Sequence, residues 1–77
     1  MSAAIEKAQR YDRIKRDDTF QEIMSELRAR QISVFTDTGA TIESIAEAHT
    51  FMRFLGEVES LIQARIDDGI IDEKRKQ

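Results

Sequence analysis

The spacing of apolar residues along the chain predicts three helices. Apolar residues recur at intervals of three and four within segments 1–16, 18–36 and 41–68, and this spacing lines them along one side of an α-helix. Proline is absent and glycine occurs only three times, so few residues would interrupt a helix. We therefore expect an all-α domain that ends in a charged, frayed tail over residues 69–77.

Polar residues mark the expected starts of the first two helices. Ser2 precedes a segment with a thin apolar edge and is expected to be its N-cap. Asp18 with Gln21, or Thr19 with Glu22, has the spacing of a capping box. Either pair would start the second helix close to residue 18.

The connection after the second helix predicts an antiparallel αα-hairpin. The segment TDTGAT is rich in residues that favour turns, and Thr41 at its end can cap the third helix. A connection this short makes the two helices antiparallel neighbours. Gly69 is expected to lie just beyond the third helix, with Ile70 making the apolar contact of a C-terminal cap.

The third helix carries apolar residues around more of its circumference than one neighbouring helix covers. Leaving about half a dozen such side chains in water would forgo about 10 kcal/mol, which is comparable with the whole stability of a domain. We therefore expect an oligomeric helical bundle, or a complex with another protein. The alternative is a compact three-helix monomer in which the first helix folds back. The expected interface residues are Phe51, Phe54, Leu55, Val58, Leu61, Ile62 and Ile66.

Small residues also recur along the third helix. Gly56, Ser60 and Ala64 are spaced by four residues, and a glycine within a helix costs about 1 kcal/mol relative to alanine. Close approach of another helix to this row would explain the glycine. A tolerated glycine at an exposed position, or a gentle bend of the helix, would also explain it.

Length and composition limit how such a domain is stabilised. Its 77 residues form one domain at most and bury a small share of their surface. The chain has no Cys and a single histidine, His49, so neither disulfides nor a structural zinc site is expected. Regular helix packing and association with another chain remain. Because MSAAIEKAQR has no apolar core and no apolar run reaches membrane-spanning length, we expect a cytoplasmic protein without a signal peptide.

Charge is unevenly distributed along the chain. Residues 1–16 carry five basic and two acidic side chains, a local charge of +3, whereas the whole chain has a net charge of −3. A basic helix of this kind can bind phosphates, so a small nucleic-acid-binding regulator is the alternative function. A solvated face that docks on the acidic remainder explains the same charges. The candidate phosphate or partner contacts are Lys7, Arg10, Arg13, Lys15 and Arg16.

The residues capable of catalysis or metal binding form no recognised motif. His49 has no nucleophile in a catalytic arrangement, and we expect it on the helix surface or at its boundary. Glu43 and Glu47 share a helix face, but magnesium and calcium need several converging oxygens. We therefore expect no enzyme activity, no cofactor, no metal and no small-molecule substrate. Chorismate mutases show that a small helical dimer can catalyse with Arg and Glu alone. The arginines that could line such a cavity here are Arg28, Arg30, Arg53 and Arg65, but the sequence pattern of that family is not matched.

The order of several segments resembles small helical proteins encoded in tailed-phage and prophage gene clusters. These segments are a basic RIKRDDTFQ, the helix end LRARQISVFTD, the segment EAHTFMRFL and a closing RIDDG. The resemblance covers most of the chain and includes no catalytic signature. It implies a virion-associated or assembly-related small protein, located in the virion or in the host-cell cytoplasm, and no site residues can be transferred from it.

Overall fold

The computed structural model describes residues 2–75. They form three α-helices: α1, Ala3–Arg16; α2, Asp18–Thr36; and α3, Ile42–Arg75. No strand occurs between residues 2 and 75. The prediction of an all-α protein is confirmed.

A single non-helical residue, Asp17, separates α1 from α2. Its backbone is extended, with φ −68° and ψ 124°, and its side chain accepts a hydrogen bond of 2.8 Å from the backbone N–H of Phe20. Gln21 Nε2 donates to the carbonyl oxygen of Lys15, the second-to-last residue of α1, at 2.6 Å. The cap of α2 is therefore one residue earlier than the predicted capping boxes, because Asp17 ends one helix and starts the next.

The other two helix starts have the expected caps. Ser2 Oγ accepts from the backbone N–H of Ile5 at 3.1 Å. At the start of α3, Thr41 Oγ1 accepts from the N–H of Ser44, and Ser44 Oγ accepts from the N–H of Thr41, both at 3.0 Å. The predictions for Ser2 and Thr41 are confirmed, and Ser44 supplies a reciprocal bond that completes the cap.

Both shorter helices pack on α3, and they do so at different levels. Ala8 of α1 lies against Gly69, Lys15 Nζ donates to Gln63 Oε1 at 2.6 Å, and farther along, α2 reaches Glu59. Residue numbers thus rise along α1 and α2 as they fall along α3, so these helices run in opposite directions. The Cα positions extend over 57 × 22 × 14 Å, which is the shape of a single layer of helices.

The end of α3 differs from the prediction. The helix continues through Gly69 to Arg75, so the expected end at residue 68, and the expected tail from residue 69, are wrong over the described residues; residues 76 and 77 lie outside them. Gly69 is buried because α1 crosses there. A Cβ at this position would overlap the Cβ of Ala8 and stand 3.2 Å from the carbonyl oxygen of Ala4.

Within the described chain, close helix approach therefore occurs at Gly69 and not at Gly56. A Cβ added to Gly56 would meet nothing within 4 Å, and both Ser60 and Ala64 are exposed. The helix runs unbroken through Gly56. The row of small residues thus touches no neighbouring helix of this chain, and a gentle bend is not needed to explain Gly56 because α3 is continuous through it.

The core is a narrow row along α3. Ala48, Leu55, Ile62 and Gly69 are its buried residues, and their spacing of seven keeps them on the side that faces α1 and α2. Only one buried residue comes from each partner helix, Ala8 from α1 and Met24 from α2. A core of this size leaves most apolar side chains near the surface of the layer.

Candidate interaction surface

Large apolar side chains are exposed along all three helices. Leu55 is only 3% exposed, whereas its neighbour Phe54 is 61% exposed and Leu61 is 49% exposed. The exposed set comprises Ile14, Ile23, Ile32, Phe35, Ile42, Ile45, Phe51, Phe54, Leu61, Ile70 and Ile71. Scattered apolar residues are normal on a protein surface, but a contiguous group marks a candidate binding site.

Four apolar residues of α3 form such a group beside its buried row. They are spaced by three, four and three residues, the spacing of a seam between packed helices. This α3 seam consists of Phe51, Phe54, Val58 and Leu61. Within it, the rings of Phe51 and Phe54 lie 6.4 Å apart between centroids, and Val58 is half-buried.

An ion pair shows which positions of α2 and α3 share a side of the layer. Arg28 lies four residues after buried Met24, and Glu59 lies four residues after buried Leu55. The guanidinium of Arg28 pairs with the carboxylate of Glu59 through both of its terminal nitrogens. A residue of α2 and a residue of α3 that each follow a buried residue by the same number of positions therefore lie on the same side of the layer. This is expected for helices that run in opposite directions.

Ile23 lies on the other side of the layer, together with the α3 seam. It precedes buried Met24 by one residue, as Phe54 precedes buried Leu55, and a step of one residue turns a helix by about 100°. Ile23 is 50% exposed. We call the α3 seam together with Ile23 the apolar face.

The structure divides the predicted interface residues into two groups. Leu55 and Ile62 are buried within the chain itself, so they are unavailable to a partner. Ile66 is half-buried and lines a groove with Ile5 and Ala8 of α1. The other four predicted residues are those of the α3 seam, where Phe51, Phe54 and Leu61 are exposed and Val58 is half-buried.

The basic residues of α1 also divide into two groups. Lys15 contacts Gln63, and the Nε of Arg16 pairs with Asp12 Oδ2 at 3.0 Å. The other three are also exposed and follow one another at spacing three, from the flank of α1 beside Arg65 of α3 to the side that faces away from Ala8. This outward basic stripe consists of Lys7, Arg10 and Arg13.

The groups considered for chemistry are dispersed. His49 is exposed on α3, and no cluster of three or more potential metal ligands occurs in the part of the chain that the structure describes. Among the arginines, Arg28 pairs with Glu59 and Arg65 pairs with Asp68 at 3.2 Å. These two guanidinium groups lie at separate ion pairs, which gives no support to the arginine-lined cavity of the enzyme alternative.

Comparison of the chain with protein-family models, curated proteins and solved structures finds no match. Between residues 2 and 75, no helix has both the length and the apolar character needed to cross a membrane. What the protein does must therefore be inferred from its own surface.

Proposed function

We propose that the protein is a non-enzymatic interaction or assembly protein that binds a protein partner through its apolar face. The observation that supports this most is the amount of surface that the chain leaves uncovered. It exposes 6003 Å², whereas a compact monomer of this mass would expose about 4,800 Å². The excess of about 1,200 Å² is larger than the roughly 800 Å² that each partner contributes to a standard interface.

The single-layer architecture explains this excess. An αα-hairpin formed by α2 and α3, extended by α1, covers only one row of α3 and leaves both broad sides of the layer open. The apolar face occupies one of these sides, and it contains two phenylalanines, a residue type that is enriched where proteins bind one another. A second layer placed on it would bury the α3 seam and complete a helical bundle.

The resemblance to small helical proteins of tailed-phage gene clusters fits the same proposal. Structural and assembly proteins act by binding copies of themselves or neighbouring proteins. Such a role needs a stable exposed face and no catalytic group. We therefore propose a phage structural or assembly protein as the biological setting.

Replacing Phe54 with serine tests the apolar face. We expect the wild-type chain to show a light-scattering mass above 8.9 kDa, or, as a monomer, to enhance the fluorescence of the apolar dye ANS, which binds exposed apolar surface. Because Phe54 is the most exposed residue of the α3 seam, Phe54→Ser should reduce association, or dye binding, by about tenfold.

Ile71→Ser is the matched control, since Ile71 is 51% exposed on α3 but points almost directly away from the buried row. It should change neither readout by more than about twofold. A wild-type monomer that does not bind the dye would overturn the proposal. Equal effects of Phe54→Ser and Ile71→Ser would show that the apolar face has no special role.

The outward basic stripe supports the second candidate, binding of nucleic-acid phosphates. Lys7, Arg10 and Arg13 are exposed at regular spacing, and a stripe of cations can follow a phosphate backbone. Fluorescence anisotropy with a labelled DNA duplex at two salt concentrations tests it. The double variant Arg10→Gln, Arg13→Gln should weaken binding. It should also reduce the slope of the logarithm of the binding constant against the logarithm of the salt concentration by about 2, because about two fewer counterions are released. Absence of wild-type binding at low salt would reject this candidate.

A further inference from the structure

We propose that the partner of the apolar face is a second copy of this chain, with the two α3 helices antiparallel about a two-fold axis level with Gly56. This inference rests on the proposed function and names its partner. It follows from the order of residues along the α3 seam, which becomes complementary to itself when the helix is reversed.

Charged residues continue the α3 seam at both ends. Glu47 lies four residues before Phe51, and Arg65 lies four residues after Leu61, so both fall on the side of α3 that carries the seam. The seam is thus apolar at its centre, with an acidic residue four positions before it and a basic residue four positions after it. Such a polarity favours a partner that has the opposite order of charges.

A reversed copy of the same helix has that opposite order. With the axis level with Gly56, Phe54 faces Val58 of the second copy, and Phe51 faces Leu61 of the second copy. In the same register, Glu47 faces Arg65 of the second copy. Two-fold symmetry makes each of these contacts occur twice, as it does in any isologous interface.

A parallel pairing lacks this complementarity. In that arrangement Glu47 would face Glu47, and Arg65 would face Arg65. Like charges placed opposite one another across an interface disfavour binding. Because exposed ion pairs contribute only about 0–1 kcal/mol each, the apolar centre supplies the affinity and the terminal charges select the antiparallel orientation.

The described contacts leave both charges available. No ion pair involves Glu47 within the described residues, and its side chain is exposed. Arg65 uses one nitrogen, Nη1, to contact Asp68, although a guanidinium has five N–H donors. Lys7 of α1 lines the same surface depression as Arg65 and Asp68, so two positive charges and one negative charge lie at that end of the seam.

The position of Ile23 fits the same axis. Phe20 and Gln21 of α2 line one groove together with residues of α3 from Gly56 to Gln63, which places this part of α2 beside the middle of α3. Ile23, on the apolar face, would therefore lie close to Ile23 of the second copy. The contact would extend from the α3 seam across α2 and form four layered helices.

Charge reversal and its rescue test the pairing. Dimer dissociation constants would be measured by sedimentation equilibrium for Glu47→Arg, for Arg65→Glu and for the double variant. Each single reversal places like charges together at both symmetry-related sites, so we expect it to raise the Kd by about tenfold or more. The double variant restores opposite charges and should return to within about threefold of the wild type.

Glu22→Arg is the matched control, because Glu22 is exposed on α2 and points away from Met24 and the apolar face. It changes the net charge as Glu47→Arg does and should leave the Kd within about twofold. Because both Glu47 and Arg65 reach solvent, every variant should remain helical. Circular dichroism would verify this.

The outcomes separate this inference from the proposed function. A wild-type monomer that binds ANS would overturn self-pairing but leave the apolar face available to another protein. A monomer without dye binding would overturn both. A dimer whose Kd is unaffected by the single reversals, or is not restored in the double variant, would overturn the antiparallel register while the interaction function stands.

Discussion

Leu55→Ala is expected to lower the free energy of unfolding by about 2–5 kcal/mol. Leu55 is 3% exposed and lies in the middle of the buried row between Ala48 and Ile62. Shortening it leaves a cavity where α2 packs against α3, and the few other core residues cannot fill it. In a chain this small, a loss of that size approaches the whole stability. Urea denaturation followed by circular dichroism would measure it.

Leu61→Ala is the matched comparison because it makes the same chemical change in the same helix. Leu61 is 49% exposed, so its truncation should lower the free energy of unfolding of the monomer by less than about 1 kcal/mol. At concentrations where the chain associates, the same truncation should lower it by more. The cost of Leu55→Ala should not depend on concentration in this way. Equal costs at low concentration would contradict the division of α3 into a buried row and an exposed seam.

Gly69→Ala is expected to lower the free energy of unfolding by about 1–3 kcal/mol. The new Cβ would overlap the Cβ of Ala8 and approach the carbonyl oxygen of Ala4. The Cβ of Ala8 is bonded directly to the backbone of α1, and the carbonyl oxygen of Ala4 is part of that backbone. Neither atom can rotate away, so α1 must move off α3. A helix of 14 residues is marginal without tertiary contacts, and part of the helical circular dichroism signal should be lost with it.

Gly56→Ala is the control, and we expect it to change the free energy of unfolding in the opposite direction. The same methyl group enters the same helix but meets nothing within 4 Å, so the higher helix propensity of alanine should raise the free energy of unfolding by up to about 1 kcal/mol. Thermal denaturation of the two variants at one protein concentration would compare them. Similar stability of both variants would contradict the close packing of α1 against Gly69.

Local signals in the sequence predicted the helix starts well. Ser2 and Thr41 act as caps because capping depends on a side chain and a backbone group three residues away. The error at the second helix has an equally local cause, since Asp17 and Asp18 are adjacent at its start and only the backbone geometry shows that Asp17 is the cap.

Long-range packing could not be predicted in the same way. Gly69 has the sequence signal of a helix end, and only its contact with Ala8 explains why the helix continues. Apolar periodicity likewise groups Ile23 with Met24, and Leu55 with Phe54, because it cannot show which member of each pair faces another helix. The predicted interface residues therefore include Leu55 and Ile62, which belong to the core.

The fit between Gly69 and Ala8 has a consequence for how such a sequence can change during evolution. A lineage that acquires a larger residue at one of these positions must shrink the other or lose the docking of its first helix. In related sequences, positions 8 and 69 should therefore vary as a pair, with glycine or alanine on at least one side. Position 56, which meets no neighbour, should drift without such a constraint.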